Sequence, residues 1–300
     1  MEELRKVAAA LGETAIGARV LAGGFSHETS LLTLASGPVV VRLGGSDHAI
    51  EAAVMAAARQ YVPVPEIIAV LDVDGRSAMV LEFVTGTPLS DALDDGSDFG
   101  QLGAEVGRLA ALIGSASFDS PGFFADASLH VARQLPWSEQ LPEFGAQCMD
   151  SVPATRLDPA TRTAWADLCA AHAPALTSVD DQARLAHADL NPKNILVTHG
   201  SREWRVEAIL DWEFSYSGCP YADAANMARF GADYPGEFLN GFTTAFAGHL
   251  APPGDWRYLG RVLDMFALSD LVTRPPGHLV ADQAAQVIRQ WVATGIPDAR

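Results

Sequence analysis

The feature that most constrains the fold is a change of pattern at Thr85-Gly86-Thr87-Pro88. Upstream, β-prone stretches fall around 16–23, 28–35, 38–43, 66–72 and 76–83. Gly23-Gly24-Phe25-Ser26-His27, Ser36-Gly37-Pro38 and Asp74-Gly75 separate them as turns, the pattern of a hairpin meander. Residues 2–11 read as a short amphipathic helix ending at Gly12. The Ala-rich stretch from Asp47 to about Tyr61 reads as another, with Asp47 as N-cap and Val62-Pro63-Val64-Pro65 as its stop. Downstream, helical stretches are expected at 98–114, 130–149, 159–173, 235–249, 254–273 and 278–293, with Pro136 and Pro142 interrupting the second. The expectation is an α+β chain with two lobes. Residues 1–84 form a small β-rich N-lobe, and residues 85–300 a larger, mainly helical C-lobe.

Composition narrows the function. A formal charge of −17 argues against nucleic acid, whose phosphates must be met by Lys and Arg. The same charge suits either a generally soluble acidic surface or a cleft for a cationic small molecule. No apolar run approaches the roughly 18 residues of a membrane span, so no membrane partner is expected. Met1 to Leu11 lacks the layout of a signal peptide. Cys148, Cys169 and Cys219 are widely spaced with no CxxC pair, which fits a reducing cytoplasm better than disulfides or zinc.

Within the helical half, 184–212 differs: short β-prone pieces, Ile195-Leu196-Val197 and Val206–Leu210, alternate with polar turns. This region holds His187-Ala188-Asp189-Leu190-Asn191-Pro192-Lys193-Asn194, and Asp211 follows 17 residues later. Phosphoryl transfer needs a carboxylate that orients and deprotonates the acceptor hydroxyl, and oxygen ligands that hold Mg²⁺ on the phosphates. An H-x-D-x-x-x-x-N loop followed by an Asp after a strand supplies those parts. Asp189 and Asn194 have the required five-residue offset, and Asp211 ends a strand-like run.

The run His187–Val197 resembles the catalytic loop of aminoglycoside phosphotransferases and their choline kinase-like relatives, with Ala188 in place of the commoner Gly. Ile209-Leu210-Asp211-Trp212-Glu213, then Gly218-Cys219-Pro220 and Asp223, resembles the metal-binding segment of the same family. The resemblance implies a bilobal protein-kinase-like fold that uses ATP and Mg²⁺. It implies Asp189 as the base, Asn194 and Asp211 as Mg²⁺ ligands, and His187 and Asp223 as braces of the loop. It also places Ser26 or its neighbours over the ATP phosphates. Arg42 stands where kinases carry a phosphate-binding Lys, with Glu51 as its partner. Met79–Gly86 resembles the hinge, with the backbones of Glu82 and Val84 facing the adenine edge.

The implied activity is ATP-dependent O-phosphorylation of a small molecule. The acceptor is expected to be an antibiotic, aminoglycoside-like or other, and the alternative is a metabolic amino alcohol or sugar kinase. A protein kinase fits less well, because Asp223 follows Asp211 by only twelve positions, which leaves no room for an activation segment. A non-catalytic nucleotide-binding module would lack one of Asp189, Asn194 and Asp211. The C-terminal seventy residues carry no readable motif; Asp233, Glu237, Asp264 and Asp270 are candidates for an acidic acceptor rim or for solvated helix faces.

Overall fold

Side-chain alternation along the N-terminal strands sorts their residues between two cores. In the computed structural model, which describes residues 1–21, 28–45, 47–95, 98–200 and 203–299, β1 (Ala15–Val20), β2 (Glu28–Leu34), β3 (Gly37–Leu43), β4 (Ile67–Val73) and β5 (Arg76–Glu82) form an antiparallel sheet. Its order is β1-β2-β3-β5-β4. Successive strand side chains point to opposite faces. Ala78 and Val80 of β5 therefore join Val39, Val41 and Leu43 of β3 against Leu4, Val7 and Ala8 of α1 (Glu2–Ala10). Met79 and Leu81 face the other way, onto Val54, Met55 and Ala58 of α2 (His48–Ala58). Arg42 lies between Val41 and Leu43, so the same alternation turns it to the α2 side.

The remainder is mainly helical, as the sequence predicts. Thr87–Pro88 forms β6, and α3 (Leu89–Asp95) and α4 (Phe99–Ile113) follow it. Then come α5 (Trp137–Ser151), α6 (Pro159–His172) and β7 (Arg184–Ala186). β8 (Ile195–His199) and β9 (Trp204–Ile209) form a hairpin, with β6 added beside β8. β10 (Tyr216–Gly218) pairs with β7, and α7 (Tyr221–Ala228), α8 (Gly236–Leu250), α9 (Trp256–Leu271) and α10 (Leu279–Thr294) complete the chain. α4 and α8 cross at backbone contact. A Cβ added to Gly103 would lie 2.0 Å from the Phe238 carbonyl oxygen, so no larger residue fits there.

Two expectations need correction. The helix expected at 130–149 starts only at Trp137, directly after Pro136, and Pro142 sits inside it without ending it. Asp180 secures that first turn by accepting from the Ser138 amide at 3.0 Å and from its hydroxyl. The short α3 and α7 were not foreseen. Among the described residues no helix is long and apolar enough to cross a membrane.

Candidate active site

The β8–β9 hairpin brings the two halves of the motif together. Ile195 pairs with Ile209, and the Leu210 amide donates to the Asn194 carbonyl at 2.8 Å. The residue before one strand and the residue after the other therefore share one end of the hairpin. Asn194 Nδ2 donates to Asp189 Oδ2 at 2.8 Å and to the Asp189 carbonyl at 2.9 Å. Asn191 Nδ2 donates to Asp189 Oδ1 at 3.0 Å, so both carboxylate oxygens are held. Asp189, Asn194 and Asp211 form one cluster, as their spacing predicts.

His187 is buried and bonded only within the fold. Its Nδ1 accepts from the Asp189 amide at 3.2 Å, and its Nε2 donates to the Leu210 carbonyl at 2.9 Å. That pattern requires a neutral ring. Burial pushes His187 down to about 4 in agreement, partly opposed by the Leu210 carbonyl. The ring packs on Trp212 with centroids 4.5 Å apart. Asp223 accepts from the amides of His187 and Ala188, both at 2.9 Å. Burial pushes Asp223 up to about 7, and those two amides pull in the opposite direction. Both residues brace the loop.

Ala188 has φ 68° and Asp211 φ 67°, the left-handed region that non-glycine residues seldom enter. The loop that presents Asp189 is thus a tight backbone reversal fixed from several sides.

Arg42 bridges the sheet to the hairpin. Its Nη1 pairs with Glu51 Oε1, and its Nη2 lies 2.7 Å from Asp211 Oδ1. The side chains of Arg42 and Glu51 are 8% and 1% exposed, so this is a buried charge group and not a surface ion pair. At the expected hinge, the Glu82 amide donates to the Glu66 carbonyl at 2.9 Å, so an adenine edge could take only the carbonyl from this residue. Glu82 Oε1 accepts in return from the Glu66 amide. Val84 follows β5 and is partly exposed. Ser26 lies outside the described residues.

Several contributors escaped the sequence reading. Asn226 Nδ2 donates to the Ala188 carbonyl at 3.1 Å, and Ser215 Oγ to the His187 carbonyl at 3.3 Å. Arg229 makes a buried forked pair with Asp264, Nε lying 3.1 and 3.0 Å from its two oxygens. Asp264 is therefore neither an acidic rim nor a solvated face. Asp270 is exposed and paired with Arg274, whereas Asp233 and Glu237 are exposed. The available signal was the three-residue spacing of Asp223, Asn226 and Arg229, which puts them on one side of a helix. Burial pushes Asp189 up to about 6. Arg229 opposes that rise, Asp211 adds to it, and the Asn191 and Asn194 amides pull it down.

Residues 17–259 match the sequence model of a phosphotransferase enzyme family, APH. Among solved structures, aminoglycoside phosphotransferase APH(4)-Ia superposes with a TM-score of 0.73 at 16% identity, covering 98% of this chain and 99% of that one. A kanamycin and GDP complex of an APH(2") enzyme gives 0.68 at 16% identity over 94% and 95% of the two chains. A putative fructosamine-3-kinase from Haemophilus somnus gives 0.65 at 13% identity, over 96% of each. These likenesses establish the protein-kinase-like fold. A comparison with curated proteins finds no match.

Proposed function

Because the chain belongs to the APH phosphotransferase enzyme family, we propose that it moves the γ-phosphate of ATP to a hydroxyl of a small molecule. The observation that carries this reading is the Asp189 carboxylate, held at both oxygens by Asn191 and Asn194 beside Asp211.

In this reading Asp189 accepts the acceptor's hydroxyl proton. The acceptor oxygen forms its bond to the γ-phosphorus while the bond to the β-phosphate bridging oxygen breaks, and ADP leaves with that electron pair. Asn194 and Asp211 would hold Mg²⁺. Asn194 turns its amide nitrogen to Asp189, so its amide oxygen is the end left for a metal. With the Asp211 carboxylate this makes a pair of hard oxygen donors of the kind Mg²⁺ takes. Bound there, the metal would offset negative charge on the phosphates. Arg42, steadied by Glu51, supplies a guanidinium suited to phosphate oxygens. Ser26, the Glu82 carbonyl and the Val84 amide complete the nucleotide contacts, with residues 1–84 acting as the nucleotide lobe and 85–300 as the catalytic and acceptor lobe.

ATP as donor is supported by relatives solved with ADP and with AMP-PNP. For the acceptor, relatives in complex with hygromycin B and kanamycin support an antibiotic-modifying enzyme. A metabolic kinase is the second reading, supported by the fructosamine-3-kinase likeness. The expected setting is the cytoplasm, where ATP is available. The test is Mg·ATP with a library of hydroxylated small molecules, read as a mass gain of one phosphate. Asp189→Ala should lower turnover by about 10²–10⁴-fold with ATP affinity retained. Normal turnover in the folded variant would remove Asp189 from this role.

A further inference from the structure

Beside the phosphoryl-transfer cluster lies a cavity of about 230 Å³, between α2 and the segment that follows Asp211. Ile50 and Val54 form one wall, Trp212 and Phe214 another, and Phe123 and Phe124 a third. We infer that this cavity receives an uncharged, ring-sized apolar group of the hydroxyl acceptor. The inference rests on the phosphotransferase reading above and gives it a substrate class.

Three observations support it. The first is continuity. Glu51, which holds Arg42, lines the cavity, and so does Ser215, whose hydroxyl bonds the His187 carbonyl. A molecule seated there touches the partner of the phosphate-side cation and a residue bonded to the loop that carries Asp189.

The second is exposure. Phe123 and Phe214 are 51% and 45% exposed, although large aromatic side chains are generally well covered. Phe123 is nonetheless fixed. Its ring meets Trp137 edge-on with centroids 5.6 Å apart and lies 5.8 Å from Tyr216, whose strand pairs with Ala186 ahead of the catalytic loop. An aromatic face held in place and left open is preorganised for a ligand.

The third is charge. Of the carboxylates on the cavity wall, Glu51 is paired with Arg42, and Asp47 is turned to the Ala49 amide at 2.9 Å. Asp264 is spent on Arg229, and Glu237 lines a separate recess with Asn240 and Thr244. Six of the ten lining residues are apolar or aromatic, so what the cavity chiefly offers is apolar surface. Its volume falls below the roughly 300–1,000 Å³ of sites for drug-sized ligands, so one ring enters and not a whole oligosaccharide.

The experiment compares cinnamyl alcohol, a neutral aromatic alcohol, with kanamycin, a polycation. Binding is read by calorimetry in the Asp189→Ala protein, and phosphate transfer in the wild type. Phe123→Ala, Phe214→Ala and the cavity-filling Ile50→Trp are made in both backgrounds, with thermal melts to confirm folding. Cinnamyl alcohol should bind, and each substitution should weaken it about tenfold, the scale on which an apolar pocket discriminates. KM for ATP should not move. Binding that the substitutions leave unchanged, or a preference for kanamycin, overturns the apolar site and leaves the phosphotransferase reading intact. Phenylalanine-dependent binding of cinnamyl alcohol, with no transfer to any hydroxyl in the library, upholds the apolar site and removes the phosphotransferase reading.

Discussion

Arg42 and Asp211, 169 residues apart in the chain, meet at 2.7 Å between Nη2 and Oδ1. The contact ties the N-terminal sheet to the end of the β8–β9 hairpin through one guanidinium that also holds Glu51. A planar fork can serve two carboxylates at once, which the point charge of a lysine cannot do in the same geometry. In the proposed reading, a metal held by Asp211 would compete for that carboxylate and would leave the second arm of Arg42 for the phosphates.

Arg42→Ala should therefore affect stability as well as phosphate binding. It would leave the almost fully buried Glu51 carboxylate without its cation. Breaking a buried pair from one side costs on the order of 3–5 kcal/mol. Urea unfolding should show that loss, together with weaker ATP binding. Arg42→Lys should recover part of both. If lysine were no better than alanine, the buried charge group would not be what holds this region.

The pH dependence of turnover should carry an acid limb near 6. Asp189 sits at about 6 against an ordinary value of 3.8, chiefly because burial disfavours its charged form. As a base it must be ionised, so turnover rises as pH increases through that value. Its effect on stability runs the other way: with the folded value raised, its stabilising contribution is complete below the unfolded value and is lost as pH rises through about 6. His187 is not the source of the limb, since burial pushes it down to about 4 and both ring nitrogens are bonded. A rate profile flat from pH 5 to 8 would contradict the assignment.

Asp223→Asn should loosen the loop without touching the nucleotide. An amide offers one oxygen where the carboxylate offers two, so one of the His187 and Ala188 amides loses its acceptor. An unsatisfied buried amide costs about 1–3 kcal/mol. Faster hydrogen exchange at these two amides and lower turnover, with ATP affinity kept, are the expected outcome. Unchanged exchange would show that the carboxylate is not the brace.

Much of this was legible in advance, for physical reasons that differ by region. The meander could be read because Ser36-Gly37-Pro38 and Asp74-Gly75 punctuate alternating strands, and alternation sets the face of each side chain. Asp189, Asn194 and Asp211 could be read because a short loop and one hairpin bring them together. The pairing of Arg229 with Asp264 could not, since it joins the residue that ends α7 to α9 over 35 residues, and the spacing that puts Arg229 beside Asn226 and Asp223 does not name its partner. Nor could the α4–α8 contact, where Gly103 and Gly107 admit the backbone of Phe238 and Phe242. A glycine inside a helix reads locally as a defect, and only the partner helix gives it a reason.

Ala188 offers the sharpest test of the backbone reading. Its amide is held by Asp223 and its carbonyl by Asn226, and between them φ is fixed at 68°. A left-handed conformation costs an L-residue about 1–2 kcal/mol, because Cβ crowds the carbonyl. Glycine escapes that cost but loses more chain entropy on folding, about 0.5–1 kcal/mol. Ala188→Gly should therefore stabilise the protein by about 0.5–1 kcal/mol with turnover intact. Ala188→Val, β-branched at the same φ, should be less stable than the parent and slower. Thermal melts of the three proteins should rank glycine, alanine, valine. Any other order would mean that the bonds to Asp223 and Asn226 do not fix the backbone at this position.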